Sequence, residues 1–151
     1  MAIQGRWLIL TALVAALAGC GRSSSYQRFI PAEQSARAAL VTALEAWRRG
    51  EPPGAVAGTA GPVIQFVDSH HKPGQRLRGF EVQTMAPGEG PRVFIVKLAL
   101  EAPAEEVRTR YVVVGLDPVW VWRYDDYEMI VHWEHRMPTE KDKKAAPTAK
   151  R

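Results

Sequence analysis

Two pairs of histidines could bind a metal ion or transfer protons. His70 and His71 follow Asp68, and two imidazoles with a carboxylate can ligate a transition metal. Adjacent residues point in different directions, however, and the Pro-Gly pair at positions 73 and 74 predicts an exposed turn. We therefore predict no metal ligands among these residues.

The second pair, His132 and His135, would share one face of a helix but would point to opposite faces of a strand. The metalloprotease order His-Glu-x-x-His, in which the glutamate is the general base, is absent. We interpret residues 127–134 as a C-terminal edge strand whose inward side chains are Met129, Val131 and Trp133. A helix over the same residues stays open.

A row of aromatic residues is the other candidate for chemistry. Trp120, Trp122 and Tyr124 alternate along one segment, and on a strand they would share a face. Such a row can stack on a ligand or line an apolar pocket, but we expect it to be core beneath a helix. The alternative is a ligand pocket lined by Trp47, Trp120, Trp122 and Tyr124, with His132 or Asp125 as its polar group.

Cys20 is the only cysteine, which excludes an intramolecular disulfide, Cys-x-x-Cys redox chemistry and a multi-thiolate metal site within one chain. It follows Arg6 and an apolar run over residues 7–18. A helix needs about 20 apolar residues to span a bilayer, so this run is too short for a permanent span. It has the proportions of a signal peptide.

The sequence Leu17-Ala18-Gly19-Cys20 resembles the lipobox of bacterial lipoproteins. The resemblance implies cleavage before Cys20, a diacylglycerol on its thiol and usually an N-acyl chain such as palmitate. Two or three acyl chains suffice for stable anchoring, whereas one chain binds only marginally. We therefore expect an exported protein, anchored by lipid to the cell membrane or outer membrane, with its domain facing the periplasm or exterior. Gly21 rather than aspartate after the cysteine favours the outer membrane, by analogy with enterobacterial lipoproteins.

The chain divides into four predicted segments. Residues 1–19 form the signal peptide, 20–30 the lipidated cysteine and a tether, 31–137 a single domain, and 138–151 a disordered basic tail. The tail carries five basic and two acidic residues, so it supplies +3 of the net charge of +4. The body is close to neutral and the protein is expected to be exported, so we predict no nucleic-acid partner.

One long helix and four or five strands are predicted for the domain. The helix covers residues 31–50, where apolar side chains recur at steps of three and four: Ala36, Ala39, Leu40, Ala43, Leu44 and Trp47. Alternating or β-branched runs predict strands at 63–67, 77–85, 92–100, 107–115 and 119–124, the last two joined by a turn at 115–118. Short connections favour antiparallel pairing. The fold class is thus α+β, a helix packed on a curved antiparallel meander.

This layout resembles the SnoaL-like cone, the cystatin-like superfamily of nuclear transport factor relatives. Residues 39–50 are similar to the first helix of that family and residues 114–124 to a late hairpin. The mature domain also resembles small uncharacterised bacterial lipoproteins with a Val-Asp-Ser segment, here residues 67–69, and an Asp-Pro-x-Trp-Val ending. Full cones have two or three helices before the sheet, whereas this chain has room for one long helix.

No motif in the chain specifies a reaction. We therefore expect a non-catalytic binding or interaction module at the cell envelope, without a cofactor. It would be anchored at Cys20 and would bind an unknown envelope protein or a small ligand, and a second copy could pair with it through the sheet. The alternative function is a SnoaL-like small-ligand carrier or enzyme that uses the aromatic pocket.

Overall fold

The computed structural model describes residues 26–56 and 60–133. They form an α+β fold with two helices and a six-stranded mixed sheet. After a 3-10 turn at Gln27–Phe29, the elements are α1 Glu33–Arg48, β1 Gly54–Val56, β2 Ile64–Val67, β3 Arg76–Met85, β4 Arg92–Glu101, β5 Glu105–Val114, β6 Val119–Arg123 and α2 Tyr124–Val131. Their order in the sheet is β1-β2-β6-β5-β4-β3. The predicted signal peptide, Cys20 and the basic tail lie outside the described residues.

Helix α1 lies within the range predicted for it. It ends in a Schellman motif, in which the Gly50 N–H donates to the Trp47 carbonyl and the Glu51 N–H to the Ala46 carbonyl. Gly50 has φ +92°, a conformation that a residue without Cβ adopts at little cost. Among the residues that the structure describes, no helix is long and apolar enough to cross a membrane.

The main core lies between α1 and one face of the sheet. All six residues of the predicted apolar stripe on α1 are buried, and so is Ala46. The helix contacts every one of the six strands, so the sheet curves around it. The facing side chains of β4 are Phe94, Val96, Leu98 and Leu100, and all four are buried. The small alanines of α1 let its backbone approach this surface closely.

The predicted meander holds for β3, β4, β5 and β6, whose consecutive pairs are all antiparallel. The prediction of antiparallel neighbours fails at β2, which pairs with β6 in parallel. In this arrangement both strands end at the same side of the sheet, and Asp68 after β2 lies beside Arg123 of β6 as an ion pair. The sixth strand, β1, lies between the predicted helix and the first predicted strand, where no element is predicted, and it pairs antiparallel with β2.

The chain after β6 also differs from the prediction. The strand ends at Arg123 instead of Tyr124, and residues 124–131 form helix α2 instead of an edge strand. Asp125 and Asp126 lie in the first turn of α2, where the helix dipole favours negative charge. The His132 ring lies 3.2 Å from the Glu128 carboxylate across the last turn.

The sequence suggested that Trp120 and Trp122 would lie beneath α1, but they do not. Side chains alternate along β6, and the helix covers the face of Val119 and Val121, both of which belong to the core. The two tryptophans therefore lie on the outer face, where they remain half-buried and stack with ring centroids 5.2 Å apart.

Candidate binding site: an arginine groove at the end of β6

A positively charged groove lies where β6 ends and β5 continues. Tyr111 of β5 pairs with Arg123, the last residue of β6, so residues 105–110 of β5 run on beyond β6. The first turn of α2 closes one side of the space left there. The resulting groove has a volume of about 480 Å³ and is lined by Ile95, Arg108, Thr109, Arg110, Arg123, Tyr124 and Asp125. We call it the arginine groove.

Arg108 and Arg110 occupy alternate positions of β5 and point to the outer face of the sheet. The Arg110 guanidinium lies over the Tyr124 ring, with its Cζ 3.5 Å from the ring centroid. Such stacking orients the guanidinium and is attractive because the ring face is negative. Arg108 lies opposite Lys97 in the register, and Lys97 is itself paired with Glu106 at 2.9 Å.

Arg123 supplies the third guanidinium, which is held by a buried carboxylate. Its Nη1 lies 3.4 Å from Oδ1 and 3.5 Å from Oδ2 of Asp68, and its Nε lies 3.6 Å from the Asp125 carboxylate. The Arg123 side chain is 13% exposed and the Asp68 side chain 0%. A buried carboxylate is costly unless it is paired and hydrogen-bonded, so this pair fixes Arg123 in place.

Tyr111 completes the surroundings of Asp68. Its buried hydroxyl donates to Asp68 Oδ2 at 2.7 Å, and the His70 backbone N–H donates to Oδ1 at 3.0 Å. Burial raises the pKa of Tyr111 well above its ordinary value, and the negative charge of Asp68 raises it further. The phenol therefore keeps its proton at neutral pH and serves as a hydrogen-bond donor.

A second buried carboxylate, Asp126, attaches α2 to the end of β2. It accepts hydrogen bonds from the backbone N–H of Ser69, at 2.9 Å, and from the Ser69 hydroxyl. Asp126 is 4% exposed and lies in the first turn of α2. This contact positions Tyr124 and Asp125, the two neighbouring residues of α2 that line the groove.

The groove has an excess of positive charge. Three guanidiniums and one carboxylate give it a formal charge of 3 − 1 = +2. Arg123 is neutralised by Asp68 and Asp125, whereas neither Arg108 nor Arg110 forms an ion pair within residues 26–56 and 60–133. Guanidinium groups bind carboxylates and phosphates through parallel hydrogen bonds. The arrangement can therefore bind an anionic group beside an aromatic ring.

The structure does not bring the five predicted pocket residues together. Trp47 is buried beneath the sheet, 5.3 Å from the His71 ring, and lines a separate cavity of about 500 Å³. Trp120 and Trp122 lie on the opposite face of the sheet, and His132 follows the last turn of α2. Only Tyr124 belongs to the arginine groove. The predicted pocket fails because α1, which carries Trp47, covers the other face of β6.

The histidine pairs are separated in a similar way. Asp68 faces Tyr111 and Arg123, while the His71 ring packs edge-on against Trp47. His135 lies outside the described residues. In the part of the chain that the structure describes, no group of three or more histidine, cysteine, aspartate or glutamate side chains could hold a metal ion.

Sequence reasoning missed Arg108, Arg110 and the role of Tyr111. A usable signal was present, because two arginines at alternate positions of a strand point to the same face. Their meeting with Tyr124 depends on the hairpin register, in which Val114 pairs with Trp120 instead of Val119. That register could not be read from the turn residues alone.

Comparison with known proteins identifies no relative: no protein-family model, no curated protein and no solved structure matches this chain.

Proposed function

We propose that the protein is an exported, lipid-anchored binding module that takes an anionic group in its arginine groove. The observation that carries this proposal is the charge arrangement of the groove. Arg123 is positioned by Asp68 from the core, and Arg108 and Arg110 extend beside it without a carboxylate partner among the described residues. A carboxylate or phosphate on a protein or small ligand would supply that partner.

The lipid anchor rests on the lipobox at residues 17–20. Tyr26 lies within the predicted tether and is half-exposed. Phe29, also within the predicted tether, accepts a hydrogen bond through its carbonyl from the Gly115 N–H at 2.8 Å. The part of the tether next to the domain is thus held on its surface, and a shorter segment leads to Cys20.

A SnoaL-like cone remains our proposal for the finer fold. In its favour, the sheet curves around α1, which contacts all six strands. The related functional candidate is a small-ligand carrier or enzyme. The half-buried stack of Trp120 and Trp122 on the outer face favours it, because an apolar ligand could extend that stack.

Binding of inorganic phosphate, followed by chemical-shift changes of backbone amides, tests the groove. We expect saturable shifts at residues 108–110 and 123–125 that weaken as salt rises. Arg110→Gln should weaken binding at least tenfold, because a charge-assisted hydrogen bond contributes about 1.5–3 kcal/mol. Arg78→Gln is the matched control, since Arg78 is an exposed arginine of β3 outside the groove.

Equal loss of phosphate binding in the two variants would mean non-specific attraction and would contradict the proposal. The second candidate makes a different prediction for an uncharged apolar fluorescent probe such as N-phenyl-1-naphthylamine. Probe binding that Trp122→Ala abolishes, together with no saturable phosphate shifts, would favour the carrier or enzyme over the anion-binding module.

A further inference from the structure

The large apolar side chains exposed in the described residues are unevenly distributed. They fall in the N-terminal turn, in the residue before β2, in the β5–β6 turn, and in the segment from the end of α2 to Trp133: Tyr26, Phe29, Val63, Leu116, Met129, Ile130, Val131 and Trp133. Trp133 is 81% exposed and Ile130 53%. Such a concentration marks an interaction surface, whereas scattered single residues would not.

Hydrogen bonds connect these segments to one another. The Phe29 carbonyl accepts from the N–H of Gly115, next to Leu116, and the Val63 carbonyl accepts from the N–H of Val119, the first residue of β6. The hydroxyls of Tyr26 and Tyr127 lie 3.1 Å apart, which joins the N-terminal turn to α2. We call this surface the apolar end.

The tether places the apolar end near the predicted lipid anchor. Cys20 and Tyr26 are 26 − 20 = 6 residues apart, and six residues span at most about 20 Å. A domain of about 100 residues has a radius of gyration of about 13 Å and is therefore roughly 30 Å across. An acylated Cys20 thus keeps Tyr26 within about 20 Å of the membrane surface, so the side of the domain that carries Tyr26 cannot face directly away from it.

Charge also favours a lipid surface as the occupant. Arg28 belongs to the N-terminal turn, and its guanidinium lies over the Phe29 ring. The chain leaves the described residues at Trp133 and continues into a sequence whose last 14 residues carry a net charge of +3. Tryptophan and tyrosine favour the interface between water and lipid, and basic residues are attracted to anionic headgroups.

We propose that the apolar end docks into the headgroup layer of the bilayer that holds the lipid anchor. This inference rests on the proposed function, because an unanchored domain would have no reason to face a membrane with this end. Docking would set the orientation of the whole domain. The arginine groove, built on residues 108–110 of β5, lies about 20 Å along the strand from the β5–β6 turn.

A single fluorescent label tests the docking in the acylated full-length mature protein. Because Cys20 is the only native cysteine, acylation leaves no free thiol, and one introduced cysteine can be labelled with an environment-sensitive nitrobenzoxadiazole dye. Ile130→Cys puts the dye on the apolar end. Arg78→Cys is the control, on edge strand β3 near the opposite end of the sheet. The vesicles contain phosphatidylethanolamine and phosphatidylglycerol.

We expect vesicles to shift the emission of the dye at position 130 to the blue and to leave the dye at position 78 unchanged. Adding Leu116→Ser and Trp133→Ser should reduce the shift at position 130.

Equal water-like emission at both positions, in protein with one dye per chain, would overturn docking while leaving the anchor intact. A second dye per chain would show that Cys20 is free, so that the anchor itself has failed. A blue shift without vesicles that rises with protein concentration would assign the apolar end to a second copy of the chain and would also overturn the proposal.

Discussion

At the scale of single residues, the fold centres its polar chemistry on Asp68. This carboxylate is buried at the end of β2 and is held by a guanidinium, a phenol and a backbone N–H. Because ion pairs in the interior are costly to desolvate, their contribution to stability depends on complete hydrogen bonding. Removing one of these partners leaves the Asp68 carboxylate short of a hydrogen-bond donor. Small substitutions of the partners should therefore destabilise the protein.

Tyr111→Phe should destabilise the protein by about 1–3 kcal/mol at neutral pH, because it removes the donor to a buried carboxylate. The loss should shrink in alkali. The pKa of Tyr111 is raised in the folded state, so its stabilisation is complete below the unfolded pKa of about 10 and declines as pH rises above it. Above a pH of about 10, the free energy of unfolding of the wild type should therefore fall by up to about 1.4 kcal/mol per pH unit relative to that of the variant. Urea unfolding of both proteins at pH about 7 and about 11 measures this, and a pH-independent gap would contradict it.

The sequence identified Asp68 only as a metal-ligand candidate, and it gave no sign of its partners Tyr111 and Arg123. Asp68 follows β2, whereas Tyr111 lies on β5 and Arg123 ends β6, 43 and 55 residues from Asp68 in the chain. Their meeting depends on the parallel pairing of β2 with β6, and side-chain patterns within a strand carry no information about which distant strand lies beside it. Pairing of this kind is the main reason why the candidate site could not be predicted.

At the scale of elements, local patterns carried more information. The helix α1 and the strands β2 to β6 fall close to their predicted ranges because period and turn residues determine them locally. β1 has three residues, too few to show a pattern, and its pairing with β2 makes it a strand. In α2 the alternation of Met129 and Val131 suggested a strand, but both side chains are exposed on a helix. Its first turn is instead held by Asp126.

The close approach of α1 to the sheet makes Ala43 a sensitive position. Ala43 is fully buried in the core, whereas Ala38 on the same helix is exposed. Ala43→Leu should cost about 1–3 kcal/mol because the core has no room for the added methylenes. Ala38→Leu makes the same chemical change on the solvent side and should stay within about 0.5 kcal/mol of wild type. Denaturant midpoints of the two variants test this, and equal losses would show that α1 does not pack closely on the sheet.

At the scale of the whole molecule, the β5–β6 turn of the apolar end and the arginine groove lie at different ends of β5. The predicted tail holds +3 of the net charge of +4, so the attraction of the groove to anions comes from local arginines and not from the body as a whole. An anchor at Cys20 would orient the molecule, with one end toward the lipid and the other toward the compartment. The anchor is therefore the feature on which the whole arrangement depends.

The mature protein, purified from native membranes, should begin at Cys20 and carry the added mass of a diacylglycerol, with or without an N-acyl chain. Cys20→Ala should remove that mass and release the protein from the membrane fraction, because apolar docking without acyl chains is weak and reversible. Phosphate binding in the groove should be the same in both proteins, since Cys20→Ala changes none of the residues that line the groove. Intact-mass spectrometry with membrane fractionation tests the anchor. An unmodified chain that still begins at Met1 would overturn the export and the orientation together, and the groove would then have to be explained inside the cell.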